Sequence, residues 1–215
     1  MTLRDRIEKV EDRIGSACHR AGRPRSDVTL VAVTKKFSAA VITEAYALGL
    51  REFGENYVQE FADKKPNLTE ARYHFIGHLQ SNKARLAAEL FHVIQTVDTI
   101  KLAQRLNDCG RPLDVMIEVK LSGEASKAGG APEDLPALLD AIRACSNLHL
   151  TGLMTIPPWS DDPEQTRPYF QKLAALARAY SVAGLSMGMS HDFEAAIEEG
   201  ATHIRVGTAL FGPRK

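Results

Sequence analysis

The chain has 215 residues, of which 44% are hydrophobic and 25% are charged, and these values are typical of an ordinary globular domain. Its 27 basic residues are balanced by 27 acidic residues, so no net field favours a nucleic acid or an acidic membrane surface as a partner. Three widely spaced cysteines provide neither a disulfide framework nor a paired-cysteine metal site. The amino terminus is charged from Arg4 onward, and no apolar run approaches the ~20 residues that span a bilayer. We therefore expect a cytoplasmic protein.

The first segment of the chain predicts an amphipathic helix over residues 3–21. Its apolar side chains recur at steps of three and four, which places them on one helical face: Leu3, Ile7, Val10, Ile14 and Cys18. Thr2 and Asp5 have the spacing of a capping box, and Gly22 followed by Pro24 predicts the end of the helix.

After this helix, short runs rich in β-branched residues alternate with amphipathic segments. The runs predict eight strands, at 28–35, 52–56, 74–78, 92–97, 114–119, 149–156, 185–189 and 203–210. The segments between them predict seven helices, at 39–48, 57–64, 83–90, 100–109, 132–144, 163–180 and 193–199.

Eight strands alternating with seven helices favour an α/β fold, a (β/α)₈ TIM barrel in which residues 1–215 form a single domain. The helix expected at the amino terminus can fill the position of the missing last outer helix. An open doubly wound sheet is the alternative, because periodicity alone does not distinguish the two.

Functional side chains of such a barrel lie at the carboxyl ends of the strands, and the first strand ends in Lys35 and Lys36. A lysine held at the barrel mouth is partly desolvated, and desolvation lowers its pKa and makes the amine a nucleophile. The alternative is a lysine that reaches solvent or pairs with a carboxylate. Successive strand residues face opposite sides, so only one of the two lysines is expected in the site.

The ends of the last two strands predict a phosphate site. Ser190, Gly207 and Thr208 offer hydroxyl donors and a backbone that a ligand can approach closely, at the position where barrels often hold phosphate. The alternative is that the glycines there only relieve crowding at the rim. A metal site at His74 and His78 is not expected, because a strand would separate them by about 13 Å.

Six sequence blocks, in order along the chain, carry a resemblance to a known family. They are LVAVTKK (30–36), FGENYVQE (53–60), HFIGHLQSNK (74–83), SKAG (126–129), GLMTI (152–156) and the long block SMGMSHDFEAAIEEGATHIRVGTALFG (186–212). With them, the chain resembles the pyridoxal phosphate homeostasis proteins, fold-type III relatives of the alanine racemase barrel.

The resemblance implies that pyridoxal 5′-phosphate (PLP) is held as a Schiff base, the internal aldimine, on Lys35. It also implies that Ser190, Gly207 and Thr208 hold the phosphate, that Arg205 faces the pyridine nitrogen and that Asn56 lies near the ring. A cation beside the ring nitrogen opposes its protonation and weakens the cofactor as an electron sink. Phe75 and His191 are local variations within the blocks and do not touch these proposed roles.

The resemblance further implies a binding protein that buffers or delivers PLP, with PLP-dependent apoenzymes as partners, rather than an enzyme with turnover. The β-rich second domain of alanine racemases is not expected here, which also favours a monomer. Two alternatives remain at this point, a small racemase or lyase of the alanine racemase type and a phosphate-binding barrel without PLP.

Overall fold

The computed structural model describes residues 1–122 and 128–213. The first two residues of the SKAG block, Ser126 and Lys127, therefore lie outside the described residues. Among the residues that the structure describes, no helix is both long enough and apolar enough to cross a membrane.

Eight parallel strands form a closed barrel in which each pairs with its neighbours in sequence and β1 also pairs with β8. The strands are β1 (Thr29–Val33), β2 (Glu52–Glu55), β3 (Arg72–Phe75), β4 (Val93–Val97), β5 (Leu113–Glu118), β6 (Leu148–Met154), β7 (Gly184–Met189) and β8 (His203–Val206). The closed order confirms the TIM-barrel prediction and excludes the open sheet.

Helices surround the barrel, and most of each strand is buried between them and the barrel interior. In the described part of the chain they are α1 (Leu3–Arg20), α2 (Ala39–Ala47), α3 (Val58–Lys64), α4 (Ala84–Leu90), α5 (Ile100–Asn107), α6 (Leu135–Arg143), α7 (Arg167–Ala179), α8 (Phe193–Glu198) and α9 (Thr208–Phe211).

The amino-terminal helix α1 occupies the outer position beside the last strands, where it packs against α8 and α9. Its predicted capping box is present, because Thr2 N–H donates to Asp5 Oδ2 (2.7 Å) and Asp5 N–H donates to Thr2 Oγ1 (3.2 Å). Arg13 of α1 forms two hydrogen bonds, of 2.8 and 2.7 Å, with the Glu194 carboxylate of α8. The prediction for this helix is confirmed.

Six of the predicted strands end earlier than expected, four of them by only one or two residues and the third and eighth by three and four. The third was placed at 74–78, but β3 stops at Phe75 because Gly77 crosses so close to Asn56 that a Cβ there would lie 2.2 Å from the Asn56 carbonyl oxygen. The eighth was placed at 203–210, but β8 stops at Val206. The Gly207 carbonyl accepts N–H groups from Leu210 and Phe211, which starts α9 instead.

Candidate functional site

A cavity of about 250 Å³ opens at the carboxyl ends of the strands. All six residues singled out from the sequence line it: Lys35, Asn56, Ser190, Arg205, Gly207 and Thr208. The structure therefore brings together residues that follow or belong to β1, β2, β7 and β8. The expected geometry of a site at the barrel mouth is present.

Lys35 lies in the turn after β1, and Lys64 of α3 fixes that turn from below. The Lys64 ammonium donates to the carbonyl oxygens of Thr34 and Phe37, at 2.9 Å each. These two carbonyls bracket Lys35 in sequence. The backbone that carries Lys35 is therefore tied to a neighbouring helix on both sides of the residue.

Lys64 also bridges two carboxylates, at 2.9 Å from Glu55 Oε1 and 2.7 Å from Glu60 Oε1. Burial raises the pKa of Glu55, and hydrogen bonds from Thr34 and Lys64 partly oppose this rise. Partial burial also tends to raise the pKa of Glu60, but hydrogen bonds from Lys64 and from the Lys36 N–H hold it below its usual value. The cluster is thus a network of charge-assisted hydrogen bonds beneath the turn.

Lys36 has a left-handed backbone, with φ of 66°, and its N–H donates to Glu60 Oε1 at 2.6 Å. Lys35 is partly buried and lines the cavity, whereas Lys36 is exposed and does not line it. The expectation that only one of the two lysines enters the site therefore agrees with the structure, although a turn rather than strand alternation separates them.

On the other side of the cavity, the Ser190 hydroxyl joins the two loops that follow β7 and β8. Its Oγ accepts the N–H groups of Gly207 (3.2 Å) and Ala209 (3.3 Å). Because the oxygen serves as the acceptor in both bonds, the hydroxyl proton can be donated to a ligand. Thr208 is exposed at the first residue of α9 and adds a second hydroxyl to this wall.

The turn that presents Ser190 is held by Asp192, which is 4% exposed and accepts the Met189 N–H at 2.7 Å. Gly188 precedes this turn with φ of +88°, and a Cβ there would lie 2.5 Å from the Ala196 Cβ of α8. Only glycine fits both the backbone angle and the packing. A glycine at position 188 is thus needed to bring Ser190 to the rim.

Arg205 points into the barrel beneath the cavity and is 4% exposed. Its Nη1 donates to Ser186 Oγ (2.7 Å) and its Nη2 to the Thr155 carbonyl oxygen (2.8 Å). Burial lowers the pKa of Arg205 to about 10, while Glu118 and Asp192 oppose the change. The guanidinium is therefore a cation at neutral pH, and its position is fixed by protein groups, the Ser186 hydroxyl and the Thr155 carbonyl.

The hydrogen bond from Arg205 to Ser186 is the first of four that cross the barrel interior. We name this series of four hydrogen bonds the interior chain. Ser186 Oγ donates to Gln95 Oε1 (2.6 Å), and Gln95 Nε2 donates to His74 Nδ1 (2.9 Å). The His74 ring proton is thereby assigned to Nε2, which lies 2.6 Å from Glu52 Oε2. Every donor in the chain points from Arg205 toward Glu52.

The carboxylate at the far end of the interior chain is kept ionised. Burial tends to raise the pKa of Glu52, but the hydrogen bond from His74 and the charge of the nearby Arg72 lower it overall. Burial lowers the pKa of the neighbouring His203 to about 4, so this imidazole is neutral at physiological pH. The interior chain thus connects a cation below the cavity, Arg205, with an anion at the opposite end of the barrel, Glu52.

Sequence reasoning missed half of the described cavity wall. Six further residues line it: Val33, Ile76, Ile156, Trp159, Met189 and His191. His191, one of the two local variations, lies at the mouth of the cavity, where its ring is 5.0 Å from the Trp159 ring and its Nε2 donates to the Asp161 carbonyl. Both rings lie in loops beyond strand ends, where no periodicity marks them.

Comparison with known proteins identifies the family. Residues 7–215 match the family model for the alanine racemase N-terminal domain. A pyridoxal phosphate homeostasis protein from Pseudomonas aeruginosa is 48% identical, over 99% of this chain and 96% of the relative. PipY from Synechococcus elongatus, solved with PLP bound, matches with a TM-score of 0.81 and 38% identity, over 98% of this chain and 100% of PipY.

An alanine racemase from Clostridium difficile shares the fold, with a TM-score of 0.74 at 14% identity, over 98% of this chain and 56% of the racemase. The identity is too low to carry more than the fold. The relatives that match at high identity do so over nearly their whole length. The chain therefore belongs to the alanine racemase N-terminal domain family and, within it, to the pyridoxal phosphate homeostasis proteins.

Proposed function

We propose that this protein binds PLP in the cavity at the barrel mouth, holds it covalently on Lys35 and buffers or delivers it inside the cell. The observation that carries the proposal is that Lys35 lines the same cavity as Ser190 and Thr208. Membership of the family supports the same reading, because relatives are named for PLP homeostasis and PipY was solved with PLP bound.

The donor set of the cavity fits this cofactor. PLP supplies an aldehyde that condenses reversibly with a primary amine, and Lys35 offers that amine. The hydroxyls of Ser190 and Thr208 offer donors for an anionic phosphate. Asn56 Oδ1 is buried and has no hydrogen-bond partner in the described part of the chain, so it is suited to a donor group on a ligand.

Arg205 is proposed to face the pyridine nitrogen. A guanidinium cannot accept a proton, and its charge opposes protonation of a nitrogen beside it. This residue would therefore keep the cofactor a weak electron sink, which suits storage better than carbanion chemistry. The described cavity wall also contains no tyrosine to act as a second base. We propose on this basis that the protein has no catalytic turnover.

We further propose that residues 1–215 act as one cytoplasmic, monomeric domain and that PLP-dependent apoenzymes receive the cofactor. The balanced charge of the chain supports neither nucleic acid nor an acidic membrane as a partner.

The proposal is tested by the absorbance spectrum of purified protein incubated with PLP. Wild type and Lys36→Ala are expected to show the band of a lysine–PLP imine, and Lys35→Ala is expected to lack it. Borohydride reduction followed by peptide mass spectrometry should place the modification on Lys35. A band lost only in Lys36→Ala, or absent from wild type, would exclude the proposed attachment.

The absence of turnover is tested separately with alanine. D-alanine formed from L-alanine should not exceed one equivalent of the PLP-loaded protein. Sustained racemisation would instead support a small racemase of the alanine racemase type.

A further inference from the structure

A second cavity of about 150 Å³, which we name the side chamber, lies directly beside the first. The two share Asn56, Ile76 and Ile156 as wall residues. Glu118, at the end of β5, and His78 line the side chamber but not the first cavity. A group held in the side chamber would therefore lie next to whatever occupies the cavity of Lys35.

The side chamber presents oxygen acceptors that lack donors. Glu118 is 4% exposed, and its carboxylate makes no hydrogen bond or ion pair among the described residues. Asn56 Oδ1 is itself a buried atom and has no hydrogen-bond partner there. Unpartnered buried acceptors are costly, and a carboxylate more so than an amide. Both would be satisfied by a ligand that is rich in N–H donors and positively charged.

The charged groups around Glu118 favour such a ligand. Asp98, just after β4, adds a second negative charge, which is 3.9 Å from His78 Nδ1, and the positive charge of Arg205 on β8 partly opposes the effect of Asp98 on Glu118. No ion pair within 4.0 Å joins Arg205 to Glu118, since the guanidinium is engaged by Ser186 and Thr155. Burial and Asp98 together raise the pKa of Glu118 to about 7. A cation in the side chamber would therefore find a carboxylate that forms no direct ion pair with the described residues.

We propose that the side chamber binds the ammonium group of a primary amine, with Glu118 and Asn56 as its acceptors. The inference rests on the proposed function, because a primary amine is the group that can take the place of Lys35 on an aldehyde cofactor. The charges of Glu118 and Asp98 would repel a carboxylate. The structure thus favours an alkylammonium, as at the end of a lysine side chain, over the zwitterion of a free α-amino acid.

Binding is measured on the PLP-free protein, so that no covalent chemistry contributes. In calorimetric titrations above pH 7, n-butylammonium should bind wild type at least about tenfold more tightly than Glu118→Gln, as expected for loss of a buried charge-assisted hydrogen bond. Glu133→Gln, which removes an exposed carboxylate from the short 3₁₀ helix before α6, is the matched control and should bind as wild type does. Alanine should bind more weakly than n-butylammonium.

The pH dependence gives an independent test, because n-butylammonium keeps its charge throughout this range. Affinity for wild type should rise as pH increases through about 7, where Glu118 ionises, and this rise should vanish in Glu118→Gln. The rise measured on wild type tests the inference even if the variant does not fold.

Equal affinity in the two glutamate variants would overturn the inference. So would a pH dependence that persists in Glu118→Gln, since it would belong to His78 or to Asp98, whose pKa is raised by burial. Either result leaves PLP attachment to Lys35 intact. Conversely, a protein that binds n-butylammonium but not PLP would refute the proposed function.

Discussion

Arg205 Nη1 donates a 2.7 Å hydrogen bond to the hydroxyl of Ser186 on the neighbouring strand β7. Because Ser186 in turn donates to Gln95, the guanidinium is held from the side opposite the cavity. Its position is therefore set by the barrel itself, before any ligand arrives. Such preorganisation lowers the cost of ordering a side chain on binding.

Replacing Ser186 by alanine should destabilise the protein. The change leaves Arg205 Nη1 and Gln95 Oε1 buried without a partner, and the free energy of unfolding should fall by about 1–3 kcal/mol. Urea denaturation measures this change. Ser16→Ala is the control, because the Ser16 hydroxyl bonds only to the Asp12 carbonyl on the exposed side of α1. Equal effects of the two substitutions would show that the interior chain contributes no stability.

Replacing Lys64 by methionine should be more harmful, because buried Glu55 then loses its counter-charge. Removing one partner of a buried ion pair costs about 3–5 kcal/mol. The double variant Lys64→Met/Glu55→Gln should recover much of this loss, since it removes the stranded carboxylate as well. Lys101→Met, at an exposed position of α5, is the control for loss of a lysine. A double variant as unstable as Lys64→Met alone would contradict this account.

The raised pKa of Glu118 predicts a pH-dependent stability difference. The folded state favours the protonated acid, with a pKa of about 7 against 4.5 for a glutamate side chain in water. Protonation of Glu118 makes its full favourable contribution to the free energy of unfolding below pH 4.5, and this contribution is lost as pH rises through 7. A pKa shift of this size is equivalent to about 3 kcal/mol. Glu118→Gln should therefore gain stability over wild type by about this amount across that range.

Denaturation series at several pH values measure the difference between wild type and Glu118→Gln. Glu133→Gln controls for the loss of one negative charge from the whole molecule. A difference that stays constant from pH 4.5 to above 7 would mean that Glu118 is not desolvated as described.

Gly188→Ala should destabilise the site and the barrel together. The new Cβ would lie 2.5 Å from the Ala196 Cβ and 2.9 Å from the Phe193 Cα, in a backbone region that favours glycine. Overpacking and backbone strain each cost about 1–3 kcal/mol. Gly15→Ala provides the contrast, because its Cβ would meet nothing within 4 Å in the middle of α1. That substitution should stabilise the protein by up to about 1 kcal/mol, as expected for alanine in a helix.

The barrel could be predicted because its strands carry β-branched runs and its helices carry three- and four-residue periodicity. The ends of β3 and β8 could not, because the apolar residues beyond them are buried for other reasons. Ile76 packs beside the close approach of Gly77 to Asn56, and Leu210 and Phe211 are buried in α9. Periodicity reports that a residue is buried, but it does not report which element buries it.

The candidate site also contains residues that could be predicted from the sequence and residues that could not. Lys35, Ser190 and Thr208 could be found because polar residues at strand ends are conspicuous in a barrel. The interior chain and Glu118 were missed, although Gln95 within the run VIQTV and Glu118 at the end of LDVMIE are polar residues in otherwise apolar strands. An internal polar residue of this kind indicates a partner across the barrel, but one sequence does not say which.

The interior chain has a consequence for how the barrel closes. Ser186 of β7 and Gln95 of β4 lie on strands that are not neighbours in the sheet, so their 2.6 Å bond spans the lumen. Sliding one strand by two residues would leave its inward and outward faces unchanged, yet would displace its side chains by roughly 6.6 Å. Apolar patterning tolerates that slip, whereas the cross-lumen bond does not. The polar atoms of the interior chain therefore specify the stagger of the strands, which apolar packing alone specifies only weakly.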